Sequence, residues 1–385
     1  MMNRTLFKRQ VYLDNNATTH VSKRVRREML RALKYNWGNP SSGYYIGKRA
    51  ARVIEKARQQ VADAINAHSH EIYFTGCATE SNNTVINSIV NHFFPGKKKI
   101  ISTPIEHPSV INTLEYMQSR GVIVQYCSVD KNGFISMEEL KSLIDDDTFL
   151  ICCMLASNEL GTIQNMKAVT TLAKSHSIQV LCDCVQALGK IPVNVKEMGV
   201  DYATFSAHKL YGPKGVGALY ARISSPLEPL IHGGHQESGM RAGTESTHNI
   251  AGFGIACRDI KKQLSGAGKV KALKDQLKEG LIKIKPDIII NSPVNDCLPN
   301  TLNVTFPGVN NRELMMMLDY NGISVSSGSA CGSQQSKPSH VLKAIGLSDK
   351  EAGETIRISL GVETSASDIR YTLKIFSDYL KNSNM

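Results

Sequence analysis

Asp183 and Lys209 are the first pair of residues in this sequence that could do chemistry together. Asp183 lies in the apolar run Leu-Cys-Asp-Cys-Val, which predicts a buried strand. A buried carboxylate needs a partner, because burying it unpaired is costly. Lys209 comes twenty-six residues later, at the end of a second predicted strand and before the turn Tyr-Gly-Pro-Lys-Gly. The alternative is a structural aspartate and a surface lysine on neighbouring loops.

This Asp–Lys pair supplies what a pyridoxal 5′-phosphate cofactor requires of a protein. A lysine amine can hold the cofactor as a Schiff base, and an aspartate can keep the pyridine nitrogen protonated, so that the ring accepts electrons. Ligand sites in open α/β sheets lie at the carboxyl ends of strands, where both residues are predicted. The sequence therefore predicts a cofactor site around Lys209.

A candidate phosphate site begins after an earlier predicted strand, in Thr-Gly-Cys-Ala-Thr-Glu-Ser at 75–81. Small residues such as Ala78 and Thr79 let the backbone approach an anion, and the free N–H groups of a helix N-terminus favour a phosphate. Ser206 and His208, just before Lys209, add hydroxyl and imidazole donors. The alternative is a threonine that only caps the helix.

His107 follows the apolar run Ile-Ile-Ser-Thr-Pro and precedes Pro108. An aromatic ring at a strand end could stack on a pyridine ring. A histidine could also move protons at neutral pH, because its reference pKa is about 6.5. The alternative is a histidine that caps a helix beginning at Pro108.

Two further candidates lie in the last sixty residues. Cys331 stands in Ser-Ser-Gly-Ser-Ala-Cys-Gly-Ser at 326–333, which predicts a flexible polar loop in which a thiol is free to react. The alternative is an incidental surface thiol. Arg357 stands in the predicted strand Thr-Ile-Arg-Ile-Ser-Leu. A buried guanidinium there needs an anion, either a substrate carboxylate or an internal salt-bridge partner.

The elements that must position these residues alternate between apolar runs and amphipathic helical stretches. This β-α-β rhythm predicts an α/β fold, in which a large domain has a mostly parallel central sheet covered by helices. Two strands joined by a Gly/Pro-rich turn are predicted within 202–221, and a Lys-rich helical segment at 258–284. We predict a large cofactor-binding domain at 18–260. Residues 1–17 and 261–385 are predicted to form a smaller α+β domain that carries Cys331.

Composition excludes several classes of protein. The chain has 385 residues, 42% of them hydrophobic, which is enough for a core in more than one lobe. We find no apolar run that could span a bilayer and no secretion signal, so a cytoplasmic location without membrane association is expected. The net charge of +11 is dispersed. This dispersed charge predicts either a solvated surface or a partner of opposite charge. Nucleic-acid binding is not expected, because the sequence has no helix-turn-helix or zinc-finger motif.

The nine cysteines are an odd number, and a disulfide framework is not expected in a cytosolic chain of this size. None of the Cys-Cys or Cys-x-Cys spacings is typical of a zinc site. Cys152, Cys153, Cys182 and Cys184 are predicted to pack inside buried strands.

In their order along the chain, these motifs resemble the cysteine desulfurases of the NifS/IscS type, a branch of the class V aminotransferase-like, fold-type I pyridoxal enzymes. The resemblance runs from Tyr12 to Arg357. It is carried by Tyr-Leu-Asp-Asn-Asn-Ala-Thr-Thr at 12–19, Gly-Asn-Pro-Ser-Ser at 38–42, Ala-Thr-Glu-Ser at 78–81, Glu-His at 106–107, Asn-Glu at 158–159, Ser-Ala-His-Lys at 206–209, Gly-Met-Arg-Ala-Gly-Thr at 239–244 and Ser-Gly-Ser-Ala-Cys at 327–331. The sequence departs from the family pattern at Tyr44, where many members have histidine, at Cys77 and at Gly332.

The resemblance implies a role for each candidate. Lys209 holds pyridoxal 5′-phosphate, Asp183 pairs with its ring nitrogen, and His107 stacks on the ring and moves protons. Asn158 and Gln186 are implied to contact the hydroxyl side of the ring, and Arg357 with Asn158 is implied to bind the substrate carboxylate. The phosphate is assigned to Ala78, Thr79, Ser206 and His208. Thr244 is implied to reach the cofactor of the neighbouring subunit, so a homodimer is expected.

The implied reaction removes sulfur from L-cysteine and releases L-alanine. It leaves a persulfide on Cys331 for iron–sulfur cluster assembly or another sulfur acceptor, so a scaffold protein is an expected partner. A selenocysteine lyase or another fold-type I pyridoxal enzyme stays open as an alternative. No stable metal site is implied, although Cys331 is a candidate for transient ligation of a nascent iron–sulfur cluster.

Overall fold

The structure is a computed structural model that describes residues 9–328 and 338–382. Within these ranges the strands form one seven-stranded sheet, one three-stranded sheet and one pair of two-residue strands. None of the helices in the same ranges has the length and apolarity needed to cross a lipid bilayer.

The strands are short, and the longer ones are almost wholly buried. Those of the described ranges are, in chain order, β1 (Val11–Tyr12), β2 (Ile72–Thr75), β3 (Lys99–Ser102), β4 (Ile123–Tyr126), β5 (Thr148–Cys152), β6 (Gln179–Asp183), β7 (Tyr202–Ser206), β8 (Gly217–Ala221), β9 (Ile289–Ile290), β10 (Thr301–Thr305), β11 (Ile323–Ser324) and β12 (Thr355–Ser359).

Helices connect most of these strands. Those of the described ranges are α1 (Lys23–Tyr35), α2 (Tyr45–Ile65), α3 (Ala78–Phe93), α4 (Pro108–Ser119), α5 (Met137–Leu143), α6 (Met166–Ser175), α7 (Val195–Met198), α8 (Thr247–Arg258), α9 (Ile260–Ser265), α10 (Ala267–Ile284), α11 (Asn311–Tyr320), α12 (His340–Ala344), α13 (Asp349–Gly353) and α14 (Ala366–Asn382).

The seven-stranded sheet has the order β2-β8-β7-β6-β5-β3-β4. Strands β7, β6, β5, β3 and β4 run parallel to one another, whereas β8 is antiparallel to both of its neighbours. The link from β7 to β8 is too short for the crossover that parallel strands need, so these strands pair as antiparallel neighbours. The predicted α/β class with a mostly parallel sheet is confirmed.

The two faces of this sheet carry separate apolar layers, because side chains alternate along each strand. Leu150, Cys152 and Leu181 pack with residues of α3 and α4. Cys153 and Cys182 point to the opposite face and pack with residues of α2, α6 and α8. The four cysteines predicted to pack in strands are all buried: Cys152, Cys153, Cys182 and Cys184. Burial raises the pKa of the first three thiols well above the ordinary value, so they stay protonated.

The smaller antiparallel sheet has the order β12-β10-β9 and packs against α10, α11 and α14. Val11 and Leu13 lie in the same apolar cluster, so the first described residues share a core with the last hundred. The division into 18–260 and the flanking segments stays a prediction. The Lys-rich segment predicted as one helical stretch is interrupted at Asp259 and Gly266, which separate α8, α9 and α10.

Candidate active site

A cavity of about 210 Å³ lies at the carboxyl ends of β5, β6 and β7. Ten of the twelve predicted site residues line it: Ala78, Thr79, His107, Asn158, Asp183, Gln186, Ser206, His208, Lys209 and Arg357. Parallel strands end at one edge of a sheet, which is why residues more than a hundred positions apart meet here. Of the other two, Thr244 lies elsewhere, and Cys331 lies outside the described residues.

Asp183 is the last residue of β6, and its carboxylate is held by two donors. Asn82 Nδ2 donates to Oδ2 over 3.1 Å, and the backbone N–H of Val185 donates to Oδ1 over 2.9 Å. Thr204 Oγ1 donates to Asn82 Oδ1 over 2.8 Å and so fixes the orientation of this amide. No residue within 9–328 or 338–382 forms an ion pair with Asp183. The carboxylate is therefore oriented and retains its capacity to pair with a cationic ring nitrogen.

Lys209 ends a single 3₁₀ turn, Ala207–Lys209, directly after β7. Its Nζ donates to the backbone carbonyls of Asn16 and Ala17, over 2.6 and 2.8 Å. Both carbonyls belong to the loop after β1, in which Asp14 pairs with Ser359 of β12 and the Thr19 N–H donates to the carbonyl of His208. The amine is thus anchored at the cavity wall by groups that carry no net charge.

His107 both caps a helix and lines the cavity, so the two interpretations of this residue are compatible. It is the N-cap of α4, with Nδ1 accepting the backbone N–H of Ser109 over 3.1 Å. An accepting Nδ1 places the proton of the neutral ring on Nε2. Burial lowers the pKa of His107; Asp183 opposes this effect, and Lys209 adds to it. The ring is therefore neutral at neutral pH and able to accept a proton.

Arg357 lies on β12 and is 1% exposed. Its Nη2 forms a salt bridge with Asp14 Oδ1 over 2.7 Å, and its Nη1 donates to the carbonyl of Asn158 over 3.1 Å. The internal salt bridge considered from the sequence is thus present. The Nε atom is buried and has no hydrogen-bond partner among the described residues. One donor of a cavity-lining guanidinium therefore stays available for a substrate carboxylate.

The N-terminus of α3 forms another wall. Its N-cap, Cys77, makes no side-chain capping bond, so side-chain capping does not use the first N–H groups of the helix. Gly217 on β8 permits this placement, because a Cβ there would lie 2.7 Å from the Cys77 carbonyl carbon and 2.9 Å from the Ala78 nitrogen. Ser206 and His208 line the same cavity. Uncapped N–H groups, a hydroxyl and an imidazole fit a phosphate.

These donors match the parts of pyridoxal 5′-phosphate. The α3 end of the cavity suits the phosphate, Asp183 suits the ring nitrogen, and the amine of Lys209 suits the aldehyde. The residues present therefore fit this cofactor.

The imidazole of His208 predicts that the cofactor-free protein is sensitive to acid. Burial, with Lys209 and Lys214, lowers the pKa of His208 from 6.5 to about 4. Between these values the unfolded chain binds a proton that the folded chain does not, so the free energy of unfolding falls as the pH falls through this window. We expect His208→Asn to reduce this decline. Urea unfolding of the cofactor-free protein at about pH 7 and pH 5 tests it, and an equal decline in both proteins would contradict it.

Thr244 does not line this cavity. It borders a second recess together with Thr75, Gly76 and Arg241. Arg241 forms a salt bridge with Glu80 over 2.9 Å, which ties this loop to the first turn of α3. The contact of Thr244 with the cofactor of a neighbouring subunit stays a prediction.

Two described residues close to 329–337, Gly328 and Ser339, lie at Glu159, next to Asn158 of the cavity wall. Ser339 Oγ donates to Glu159 Oε2 over 2.7 Å. On the other side, a Cβ at Gly328 would lie 3.1 Å from the same oxygen. Glu159 is itself buried. This carboxylate therefore holds Ser339 and lies close to Gly328, one described residue on each side of 329–337.

Four residues of the site were missed as functional candidates: Asn16, Ala17, Asn82 and Lys190. The first two lie within the motif at 12–19, which was the only available signal. Asn82 acts through Asp183, and Lys190 through Asn16 and Gln186. Such indirect contacts have no local sequence pattern.

Comparison with known proteins places the chain in a family. The family model described as Aminotransferase class-V matches residues 11–371. The cysteine desulfurase IscS of Dictyoglomus turgidum is 41% identical over 372 residues, covering 96% of this chain and 94% of that protein. The IscS of Methanosarcina thermophila is also 41% identical, covering 96% and 92%.

Solved structures agree with the sequence relatives. A NifS-like protein superimposes with a TM-score of 0.92 and 40% identity, covering 97% of this chain and all of that one. The structure described as SspA in complex with cysteine has a TM-score of 0.82 and 36% identity, covering 92% of this chain and all of the other. The chain belongs to the class V aminotransferase family and, within it, to the cysteine desulfurases of the NifS/IscS type.

Proposed function

We propose that this chain is a pyridoxal 5′-phosphate-dependent cysteine desulfurase that converts L-cysteine to L-alanine and takes the sulfur onto Cys331. The observation that carries the proposal is the cavity in which Lys209, Asp183 and Arg357 meet in a chain of this family. The related structure described as a complex with cysteine supports the substrate. We further propose that the sulfur serves iron–sulfur cluster assembly or another acceptor.

The cofactor, when bound to Lys209, supplies a ring that accepts electrons from the substrate. The side chains around the cofactor move protons and orient the substrate. The Lys209 amine is the group placed to move a proton at the substrate Cα, and His107, which lines the same cavity, is the second candidate for proton transfer. The guanidinium of Arg357 orients the substrate through its carboxylate.

Sulfur transfer is assigned to Cys331. Its thiolate attacks the substrate sulfur, an S–S bond forms, and the substrate Cβ–S bond breaks with its electron pair going to carbon. Protonation of that carbon gives the methyl group of alanine. One cysteine and one thiol thus yield one alanine and one persulfide, with no external oxidant.

Purified protein mixed with L-cysteine and a thiol reductant tests this function. We expect alanine and sulfide in equal amounts. Pyruvate in place of alanine would assign another pyridoxal reaction, and turnover of L-selenocysteine alone would assign the selenocysteine lyase alternative.

Arg357→Lys should raise the KM for cysteine by roughly 10- to 100-fold, the equivalent of one or two charge-assisted hydrogen bonds. The lysine retains a cation beside Asp14 but loses the planar fork that matches a carboxylate. Initial rates against cysteine concentration measure the effect, with cofactor absorbance as the check on folding. An unchanged KM would show that Arg357 does not bind the substrate carboxylate and serves only in its salt bridge with Asp14.

Glu159→Gln should slow sulfide release several-fold while the absorbance of the bound cofactor is kept. The amide fills the same space but weakens the bond from Ser339, which lies eight residues after Cys331 in the chain. Ser339→Ala, which removes the other partner of this bond, should give a similar loss. A normal rate in both variants would contradict this positioning role.

A homodimer, a cytoplasmic location and an acidic sulfur acceptor stay predictions. The acceptor hypothesis is supported by the exposed lysines near the start of α10, among them Lys262, Lys269 and Lys271. Co-purification of a candidate scaffold at low salt should be lost when these three residues are changed to glutamate. Undiminished binding would reject this surface.

A further inference from the structure

Lys190 is a second lysine beside the cavity, and the proposed reaction does not use it. Its Nζ lies 2.9 Å from Asn16 Oδ1 and also donates to Gln186 Oε1. Lys190 and Lys209 line a common small recess of about 30 Å³. In the part of the chain that the structure describes, no carboxylate forms an ion pair with Lys190. A half-buried lysine whose amine is bound by two neutral oxygens is an unusual arrangement for a residue with only a structural role.

Asn16 joins the two lysines. Its backbone carbonyl accepts Lys209 Nζ over 2.6 Å and Gln186 Nε2 over 3.0 Å, while its side-chain oxygen accepts Lys190 Nζ. The bond from Lys190 to Gln186 Oε1 also decides which way this amide points, because its Nε2 must then face Asn16. Lys190 thus fixes two of the groups that surround Lys209.

The charges on Lys190 and Lys209 oppose each other. Burial lowers the pKa of Lys190 well below its ordinary value, and Lys209 and Arg357 lower it further. Such repulsion is reciprocal, so a cation at Lys190 disfavours a cation at Lys209. Lys190 also contributes to the low pKa of His208.

The other titratable groups near this pair are of both signs. Asp14 is engaged by Arg357, and Asp183 accepts from Asn82 and Val185. His107, on α4, is neutral at neutral pH because burial lowers its pKa. Lys214, in the turn before β8, adds positive charge near His208.

We propose that Lys190 is a positioning residue of this site, which orients Gln186 and Asn16 around Lys209 and is coupled to it, so that a positive charge on one amine disfavours a positive charge on the other. This inference rests on the proposed function and deepens it. A neutral nitrogen at Lys209 is the form that can accept a proton from the substrate.

The test is a pH titration of the visible absorbance of holoenzyme variants without cysteine. Lys190→Met and Lys190→Gln should each raise the titration midpoint of the Lys209-bound cofactor, whereas Lys190→Arg, which is charged throughout the titration, should not raise it. Lys196→Met, at an exposed lysine nearby, is the matched control and should titrate like the parent protein. Unchanged midpoints in the Met and Gln variants, or an equal shift in the Arg variant, would overturn the charge effect.

The orienting role has its own readout, the rate of cofactor release on dilution. Lys190→Met should release the cofactor several-fold faster, and Lys190→Gln, which retains a hydrogen-bond donor, should release it nearly as slowly as the parent protein. Equal rates for the Met variant and the parent protein would remove this role. Neither measurement requires turnover, so a parent protein that binds the cofactor without acting on cysteine would reject the proposed function alone.

Discussion

Lys209→Ala should abolish the visible absorbance of the lysine-bound cofactor and reduce alanine formation from cysteine by about 1000-fold or more. The absorbance disappears because no other described lysine presents its amine to the cavity beside Asp183 and His107. The rate falls because one residue serves both as the covalent anchor and as the proton-transfer group, and a positioned acid–base group alone contributes about 10²–10⁴-fold.

The matched control for Lys209 is Lys214, which is five residues later, in the turn before β8, and exposed. Lys214→Ala should keep both the absorbance and the rate close to those of the parent protein. Lys209→Arg preserves the positive charge but not a nucleophilic amine, so it should behave like the alanine variant. Retention of the absorbance in Lys209→Ala would overturn the central assignment of the site.

The sequence predicted the residues whose position follows from a strand end. Asp183, Ser206 and Lys209 follow buried apolar runs, and in a parallel sheet such residues must meet at one edge. The family resemblance supplied Asn158 and Gln186, which no local pattern marks. For all of these residues the sequence already predicted a role, and the structure adds their distances and contacts.

The residues that escaped prediction depend on contacts between distant segments. The salt-bridge partner of Arg357 is Asp14, 343 positions away, and no sequence pattern near either residue indicates this pairing. Lys190 in isolation looks like a surface lysine, because its contact with Asn16 depends on the fold of the loop after β1. The break of the Lys-rich helix at Gly266 is likewise a small local irregularity that the helical periodicity of its neighbours conceals.

Cys331→Ala should keep the absorbance of the bound cofactor and lose at least about 100-fold in sulfide release, because removal of a covalent nucleophile leaves only binding and proton transfer. Cys331 lies outside the described residues, so the structure supports it by comparison with the other thiols. Six of these are buried: Cys127, Cys152, Cys153, Cys182, Cys184 and Cys257. Cys297 is partly buried and its pKa is raised by burial.

The remaining thiol, Cys77, is the one real competitor among the described cysteines, because it lines the cavity as the N-cap of α3. Cys77 belongs to the wall of the cavity that suits the phosphate, so we do not expect it to attack the substrate sulfur. We therefore expect Cys77→Ser to release sulfide at nearly the parent rate. Mass spectrometry of the protein after a single exposure to cysteine, without reductant, should find the added sulfur on the peptide that contains Cys331. Added sulfur on the Cys77 peptide, together with normal turnover by Cys331→Ala, would transfer the persulfide role to Cys77.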